Sequence, residues 1–251
     1  MTDLMGDLRP SESLAPPQNF KERVISRASG THRSWPKDTI VEANGPANDG
    51  VVVLLSGWAG RIRLLTDGRR QITRLLLPGD VCQARALAEL NGPVVALTDA
   101  KTVSWSGSSG DASSEDFRYG QMLAQAAIRQ ELADLINHVV RLGRMSAYER
   151  TAHMFLELYE RLACTGQTRG NSMPVPLTQD VFADLLGLSV VHVNRTLQQL
   201  RRKGLIAYRS GEFRILDVLG LAAVCDYEFT RARPRTAEPR SFAAARPRAS
   251  T

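Results

Sequence analysis

The most regular alternation of apolar and polar positions lies in Thr178 to Gly204, TQDVFADLLGLSVVHVNRTLQQLRRKG. Val181, Phe182, Leu185 and Leu186 form the apolar side of one short helix. Val193, Leu197 and Leu200, spaced by four and three, form that of a second. Thr178 and Ser189 stand where each helix needs an N-cap, a side-chain oxygen that accepts an orphan backbone N–H. Gly187 occupies the turn between them, where a residue without Cβ bends the chain cheaply. Gly204 stops the second helix after Arg201, Arg202 and Lys203, cations that a helix C-terminus favours. Two capped helices about a tight turn, the second basic, are the pattern of a DNA-binding helix-turn-helix. An ordinary helical hairpin is the plainer alternative.

A second stripe, Ile128, Leu132, Leu135, Val139 and Leu142, repeats at four and three, with Gln121 and Gln125 extending its register. It predicts a long helix from about residue 115 to 142 with a break at Gly143. The stripe is narrow and the opposite face is charged or polar, so a homodimer seam is expected rather than packing on the helix's own domain. Ser146-Ala147-Tyr148-Glu149 then reads as a capping box. It opens a helix with Ala152, Phe155, Leu156, Tyr159 and Leu162 inward, and Thr165 to Pro176 reads as a connection.

Between about Thr31 and Ser106 the runs are short and β-like: VVVLLSG, GRIRLL, QITRLLL, VVALTD and TVSWS. Asp67-Gly68 between two of them signals a hairpin, and Leu77-Pro78-Gly79-Asp80 ends a run. Strands without long intervening helices predict a β-barrel or jelly-roll-like domain. After Gly204, LIAY and FRIL around Arg209-Ser210-Gly211 predict a β-hairpin wing, followed by a last helix within Asp217 to Thr230. The fold class is therefore α+β. Its expected units are an N-terminal extension (1–30), a β-roll sensor domain (31–114), a dimerisation helix (115–143), a winged helix-turn-helix (144–230) and a basic tail (231–251). The extension is interrupted by Pro16 and Pro17 and has room for a helix from Asn19 to Ser26, while Ser106 to Ser114 reads as a loop. The tail, rich in Arg, Pro and Ala, lacks the large apolar groups of a packed core and is expected to be disordered.

Composition narrows the function. A chain of 251 residues with formal charge +6 suits a polyanionic partner. Three separated cysteines, Cys82, Cys164 and Cys225, make neither a disulfide framework nor a CxxC metal site. The polar N-terminus and the absence of a membrane-length apolar run point to a cytoplasmic address. His32, His138, His153 and His192 have no metal-ligand spacing. No nucleophile with a base, phosphate-binding glycine loop or paired carboxylates appear, so no catalytic residue and no cofactor are assigned.

The order of β-roll, long helix, capped helix and winged helix-turn-helix resembles the Crp/Fnr family of bacterial transcription regulators. The segments that carry the resemblance are GRIRLLTDGRRQITRLLLPGDV, RLGRMSAYERTAHMFLELYERL and PLTQDVFADLLGLSVVHVNRTLQQLRRKGLI, within residues 45 to 225. It implies a homodimer on double-stranded DNA, with RNA polymerase as a further partner. It also implies a reading helix whose first turns, Ser189, Val190, Val191, His192, Asn194 and Arg195, face the bases. Arg195 matches the family arginine that contacts a guanine or a nearby phosphate, a bidentate contact worth roughly 1–3 kcal/mol. Val191 replaces a frequent glutamate, so a hydrogen bond from cytosine is lost, though valine could touch a thymine methyl. Asn194 suits adenine, and His192 suits phosphate contact or solvation. Thr178, Gln179, Arg201, Arg202 and Lys203 are expected on phosphates, which position without specifying.

The sensor half departs from the cyclic-nucleotide pattern. Gln83-Ala84 replaces the Gly-Glu pair, no arginine precedes Val94-Val95-Ala96, and Arg85 is the nearest substitute. The N-terminal cysteines of iron–sulfur sensors are also missing, so neither cyclic AMP nor such a cluster is the expected effector. Cys82 and Cys225 remain as candidates for thiol redox control. Constitutive activity, or a ligand-sensing scaffold that does not bind DNA, would also accommodate these departures.

Overall fold

The structure, a computed structural model, describes residues 31–41, 51–83, 92–105, 115–209 and 211–229. The 1–30 extension with its expected helix, Arg85, the Ser106–Ser114 loop and the 231–251 tail lie outside the described residues.

The apolar runs of the first half become seven strands in two antiparallel sheets. They are β1 (Thr31–Trp35), β2 (Val51–Ser56), β3 (Ala59–Leu64), β4 (Arg70–Leu76), β5 (Val81–Gln83), β6 (Val94–Ala96) and β7 (Ala100–Trp105). The orders are β1-β7-β2-β5 and β4-β3-β6. Strand β2 shows why VVVLL lacks polar alternation, since both of its faces are covered. Val52 and Leu54 pack with Ala59, Leu76, Cys82 and Val94. Val51 and Val53 face Leu123 and Ala127 of the long helix. Asp67-Gly68 does form the β3–β4 turn, with Gly68 at φ 84. Asp80 folds the Pro-Gly turn back by accepting from the Leu77 N–H at 2.8 Å.

Helix α1 (Glu115–Arg144) runs along the roll, and α2 (Ala147–Ala163) turns off it. One expectation changes here. Helix α1 continues through Gly143, so that residue is not the break. The interruption is Met145–Ser146, set by the capping box: Glu149 N–H donates to Ser146 Oγ at 3.3 Å and Ser146 N–H donates to Glu149 Oε2 at 2.7 Å. The polar face of α1 packs on the roll, with Glu131, Asp134, His138 and Arg141 all buried. Arg61 donates to Glu131 at 3.0 Å, and Arg74 donates to Glu131 and Asp134 at 2.6 Å each. Burial works against the charge on Arg74, but Asp134, Asp80 and Glu131 outweigh it and raise its pKa.

The C-terminal half contains β8 (Ser172–Pro174), α3 (Gln179–Leu186), α4 (Val190–Arg202), β9 (Ile206–Arg209), β10 (Glu212–Ile215) and α5 (Val218–Cys225). The wing has three strands, in the order β8-β10-β9. The expected plain connection supplies the third strand because Met173 is apolar and pairs with Phe213. Phe155 ties this half together, stacked on Phe213 of the wing at 3.8 Å and edge-on to Phe182 of α3 at 5.6 Å. No described helix is long and apolar enough to cross a membrane.

Candidate nucleic-acid interface

Helices α3 and α4 are placed by their caps. Thr178 accepts from the Val181 N–H and Ser189 from the His192 N–H. Gly187 between them has φ 61, and a Cβ there would stand 3.3 Å from Leu142 Cδ2. Both the left-handed backbone and the close approach of α1 therefore favour glycine at this turn. Val181, Phe182, Leu185 and Leu186 bury one side of α3. Val193, Thr196, Leu197 and Leu200 bury one side of α4.

What α4 leaves outside is a stripe of one apolar and three polar side chains. Val191, Arg195, Gln198 and Arg202 recur at four, three and four along one exposed side, with Val191 76% exposed. His192 is exposed beside that stripe, and Ser189 Oγ lies 2.9 Å from its Nδ1. The same hydroxyl accepts the His192 backbone N–H at 3.3 Å. Asn194 and Val190 are half-exposed on the other flank. Sequence reasoning missed Gln198. The four-and-three spacing from Val191 through Arg195 would have found it, and an amide suits adenine.

Thr178 is exposed and Gln179 half-exposed at the start of α3. The three cations at the end of α4 are all exposed, but they are not equivalent. Arg201 donates to Tyr208 O at 3.2 Å and lies over the Tyr208 ring, so it braces the wing against α4. Lys203 lies over the Tyr148 ring at 5.3 Å, and Arg202 reaches Gln198 at 3.5 Å. Tyr208 in turn donates to the carbonyls of Val175 and Leu177, which fixes the segment leading into α3.

The proposed dimer seam is exposed at Ile128 (40%), Leu132 (59%) and Val139 (68%), and Leu135 is half-buried. Leu142 is half-buried too, turned partly toward Gly187 of its own chain. Met122, Ile136 and Val140 add exposed apolar area that the narrow stripe did not include.

Cys82 and Cys225 do not have the environment of redox sensors. Burial pushes the Cys82 thiol up to about 12 and the Cys225 thiol up to about 11. Cys82 is fully buried and Cys225 nearly so. A responsive cysteine is an accessible thiolate, so the structure speaks against redox control through either residue.

Comparison with known proteins agrees with this architecture. The sequence model of the cyclic nucleotide-binding domain matches residues 32–109, and that of the Crp-like helix-turn-helix domain matches residues 149–224. The nitrogen fixation regulation protein FixK of Bradyrhizobium diazoefficiens is 33% identical over 165 residues, 65% of this chain and 69% of that protein. The transcriptional activatory protein AadR of Rhodopseudomonas palustris is 32% identical over 199 residues, 74% of this chain and 77% of that protein. The solved structure of FixK2 from Bradyrhizobium japonicum superposes with a TM-score of 0.63 at 27% identity, covering 77% of this chain and 96% of that one. The regulator TTHB099 from Thermus thermophilus shares the fold, with a TM-score of 0.60 at 20% identity. With both domain models matched in the order the fold displays, this chain belongs to the Crp/Fnr family of transcription regulators.

Proposed function

We propose that the chain is a homodimeric, sequence-specific DNA-binding regulator in which each subunit reads one operator half-site with α4. The observation that carries this reading is the exposed Val191, Arg195, Gln198 and Arg202 stripe on a helix whose other side is locked into the core. Arg195, His192 and Asn194 supply polar groups to base edges, and Val191 supplies an isopropyl group that fits a thymine methyl. Thr178, Gln179, Arg202 and Lys203 serve the phosphates, and Arg201 does so only if it leaves Tyr208. RNA polymerase is the further partner that the family membership suggests.

The effector, in this reading, is neither cyclic AMP nor an iron–sulfur cluster. A cyclic phosphate needs a cation in the roll, and the buried guanidiniums of Arg61 and Arg74 are already paired with Glu131 and Asp134 of α1. The three cysteines sit on β5, at the end of α2 and at the end of α5. Among the described residues, no group of three or more His, Cys, Asp or Glu could hold a metal ion. A regulator active without any effector is the second reading, favoured because these ion pairs already join the roll to the dimer helix.

Selection of bound duplexes from a random pool tests the proposal. The purified protein should enrich a two-fold symmetric site, with half-sites about one helical turn apart or a multiple of it. Arg195→Ala should then weaken that site by roughly 1–3 kcal/mol while random DNA is little affected. Equal losses on both would move Arg195 to the phosphate backbone, and no enrichment at all would refute sequence-specific binding. Saturating cyclic AMP should leave the melting temperature unchanged, whereas a clear rise would restore the nucleotide pocket.

A further inference from the structure

We propose that Arg70 and Gln71, at the start of β4, are positioning residues that hold the reading head in its DNA-competent orientation by clasping the C-terminal turn of α3. The proposal rests on the DNA-binding reading above and adds to it the point where the sensor domain grips the helix-turn-helix.

The last carbonyls of a helix have no partner within it and must find one elsewhere when water is excluded. In α3 the Ala183 carbonyl is taken within its own turn, by the N–H groups of Gly187 and Leu188. The next two are taken by the other domain. Gln71 Nε2 donates to Asp184 O at 2.7 Å and lies 3.3 Å from Leu185 O. The last, Leu186 O, accepts from Arg150 Nη1 at 2.9 Å. Arg150 also donates to Met145 O at 2.9 Å and to Leu142 O at 3.3 Å, so one guanidinium joins the ends of α1 and α3. Beside these contacts, the Asp184 carboxylate accepts from Arg70 Nε at 3.0 Å and Nη2 at 2.6 Å. Side chains from β4 and α2 thus meet the end of a single eight-residue helix.

The geometry gives the direction of the effect. The clasp grips α3 at its C-terminal end, and no DNA-facing side chain takes part in it. Val191, His192, Arg195, Gln198 and Arg202 all remain exposed in the clasped arrangement. A contact that fixes the head while leaving its reading face open favours the binding conformer and does not mask it. Breaking the clasp lets other orientations compete, which lowers affinity for a spaced two-part site. Affinity for random phosphates depends far less on orientation.

The test uses full-length protein on its selected operator and on random duplex at low salt. Gln71→Met keeps the length and removes the donors, Arg70→Asp reverses one charge, and Arg70→Asp with Asp184→Arg exchanges the pair. Each single variant should lose about tenfold in operator affinity with random-duplex affinity and helix content unchanged, and the exchanged pair should recover most of the Arg70→Asp loss. Operator affinity equal to wild type in both single variants would overturn the clasp. So would an exchanged pair that recovers none of the Arg70→Asp loss. If Gln71→Met fails to fold, the exchange, made at partly exposed positions, decides alone. Wild-type protein that selects no operator would instead refute the DNA-binding reading itself.

Discussion

Glu131→Gln isolates the buried charge cluster that joins the roll to α1. Glu131 is 2% exposed, and its two oxygens accept from Arg61 Nε at 3.0 Å and Arg74 Nη1 at 2.6 Å. Glutamine keeps the shape and one acceptor but removes the charge that two buried guanidiniums share. Breaking a buried pair costs about 3–5 kcal/mol, and the retained acceptor puts this case near 3 kcal/mol. With a urea m-value of about 2 kcal/mol/M, the midpoint should fall by about 1.5 M. The assay is favourable because the chain's three tryptophans, Trp35, Trp58 and Trp105, all lie within the roll, so intrinsic fluorescence follows that domain. Asp67→Asn removes the exposed ion pair to Arg69 and should leave the midpoint where it is. Replacing Arg61, Arg74, Glu131 and Asp134 together by apolar residues of similar size should be less harmful than the single change, because no charge is left stranded. A shift for Glu131→Gln below about 0.5 M would refute the reasoning, since the cluster would then behave as though it were solvated.

Three further outcomes follow from the same structure. Leu132→Glu with Val139→Glu places two carboxylates in the exposed stripe and should give a monomer by sedimentation, with the fluorescence midpoint of the roll nearly unchanged; a surviving dimer would put the seam elsewhere. Val191→Glu restores an acceptor on the groove face and should shift the selected half-site toward cytosine by roughly 1–3 kcal/mol, whereas unchanged selection would remove Val191 from base contact. Burial first, then Arg141, pushes the His138 pKa down to about 4 from an ordinary 6.5, and burial lowers His153 as well. The folded state therefore binds fewer protons than the unfolded one between those values. Stability should be full above about pH 6.5 and fall by up to about 3 kcal/mol toward pH 4, a slope that His138→Gln should flatten.

The helix-turn-helix is readable from sequence because each of its features is local. A cap at Thr178, a left-handed Gly187, a cap at Ser189 and apolar spacing of four and three all act within a turn or two of chain. The capping box at Ser146 is legible for the same reason. What escapes depends on partners far away in sequence. Ser172–Pro174 becomes a strand because Phe213, forty residues on, offers Met173 an edge. Gly143 suggests a break because glycine is a poor helix residue, yet the stronger local signal just beyond it sets the boundary. Gln71 and Arg70 look like ordinary polar residues beside a hairpin, and only the fold brings them to Asp184.

The buried polar face of α1 explains how the molecule is coupled. Amphipathic reasoning sends apolar residues to the helix's own core and charges to water. Beyond Ala127 the helix does the reverse: Glu131, Asp134, His138 and Arg141 are inside, while Leu132, Ile136 and Val139 are 59%, 56% and 68% exposed. The inversion is tolerated inward because Arg61 on β3 and Arg74 on β4 meet those carboxylates at bonding distance. It has no such compensation outward, where a row of large apolar side chains faces water, and a second copy of the same helix is the cover we propose. The two faces then serve one purpose. The charged face sets where the roll stands on α1, Arg150 with Gln71 ties that placement to α3, and in the proposed dimer the apolar face would set where the partner's α1 stands. In the dimer we propose, this chain of contacts among the protein's own groups would set the spacing of the two reading helices, and an effector that changed the spacing would act on one of them.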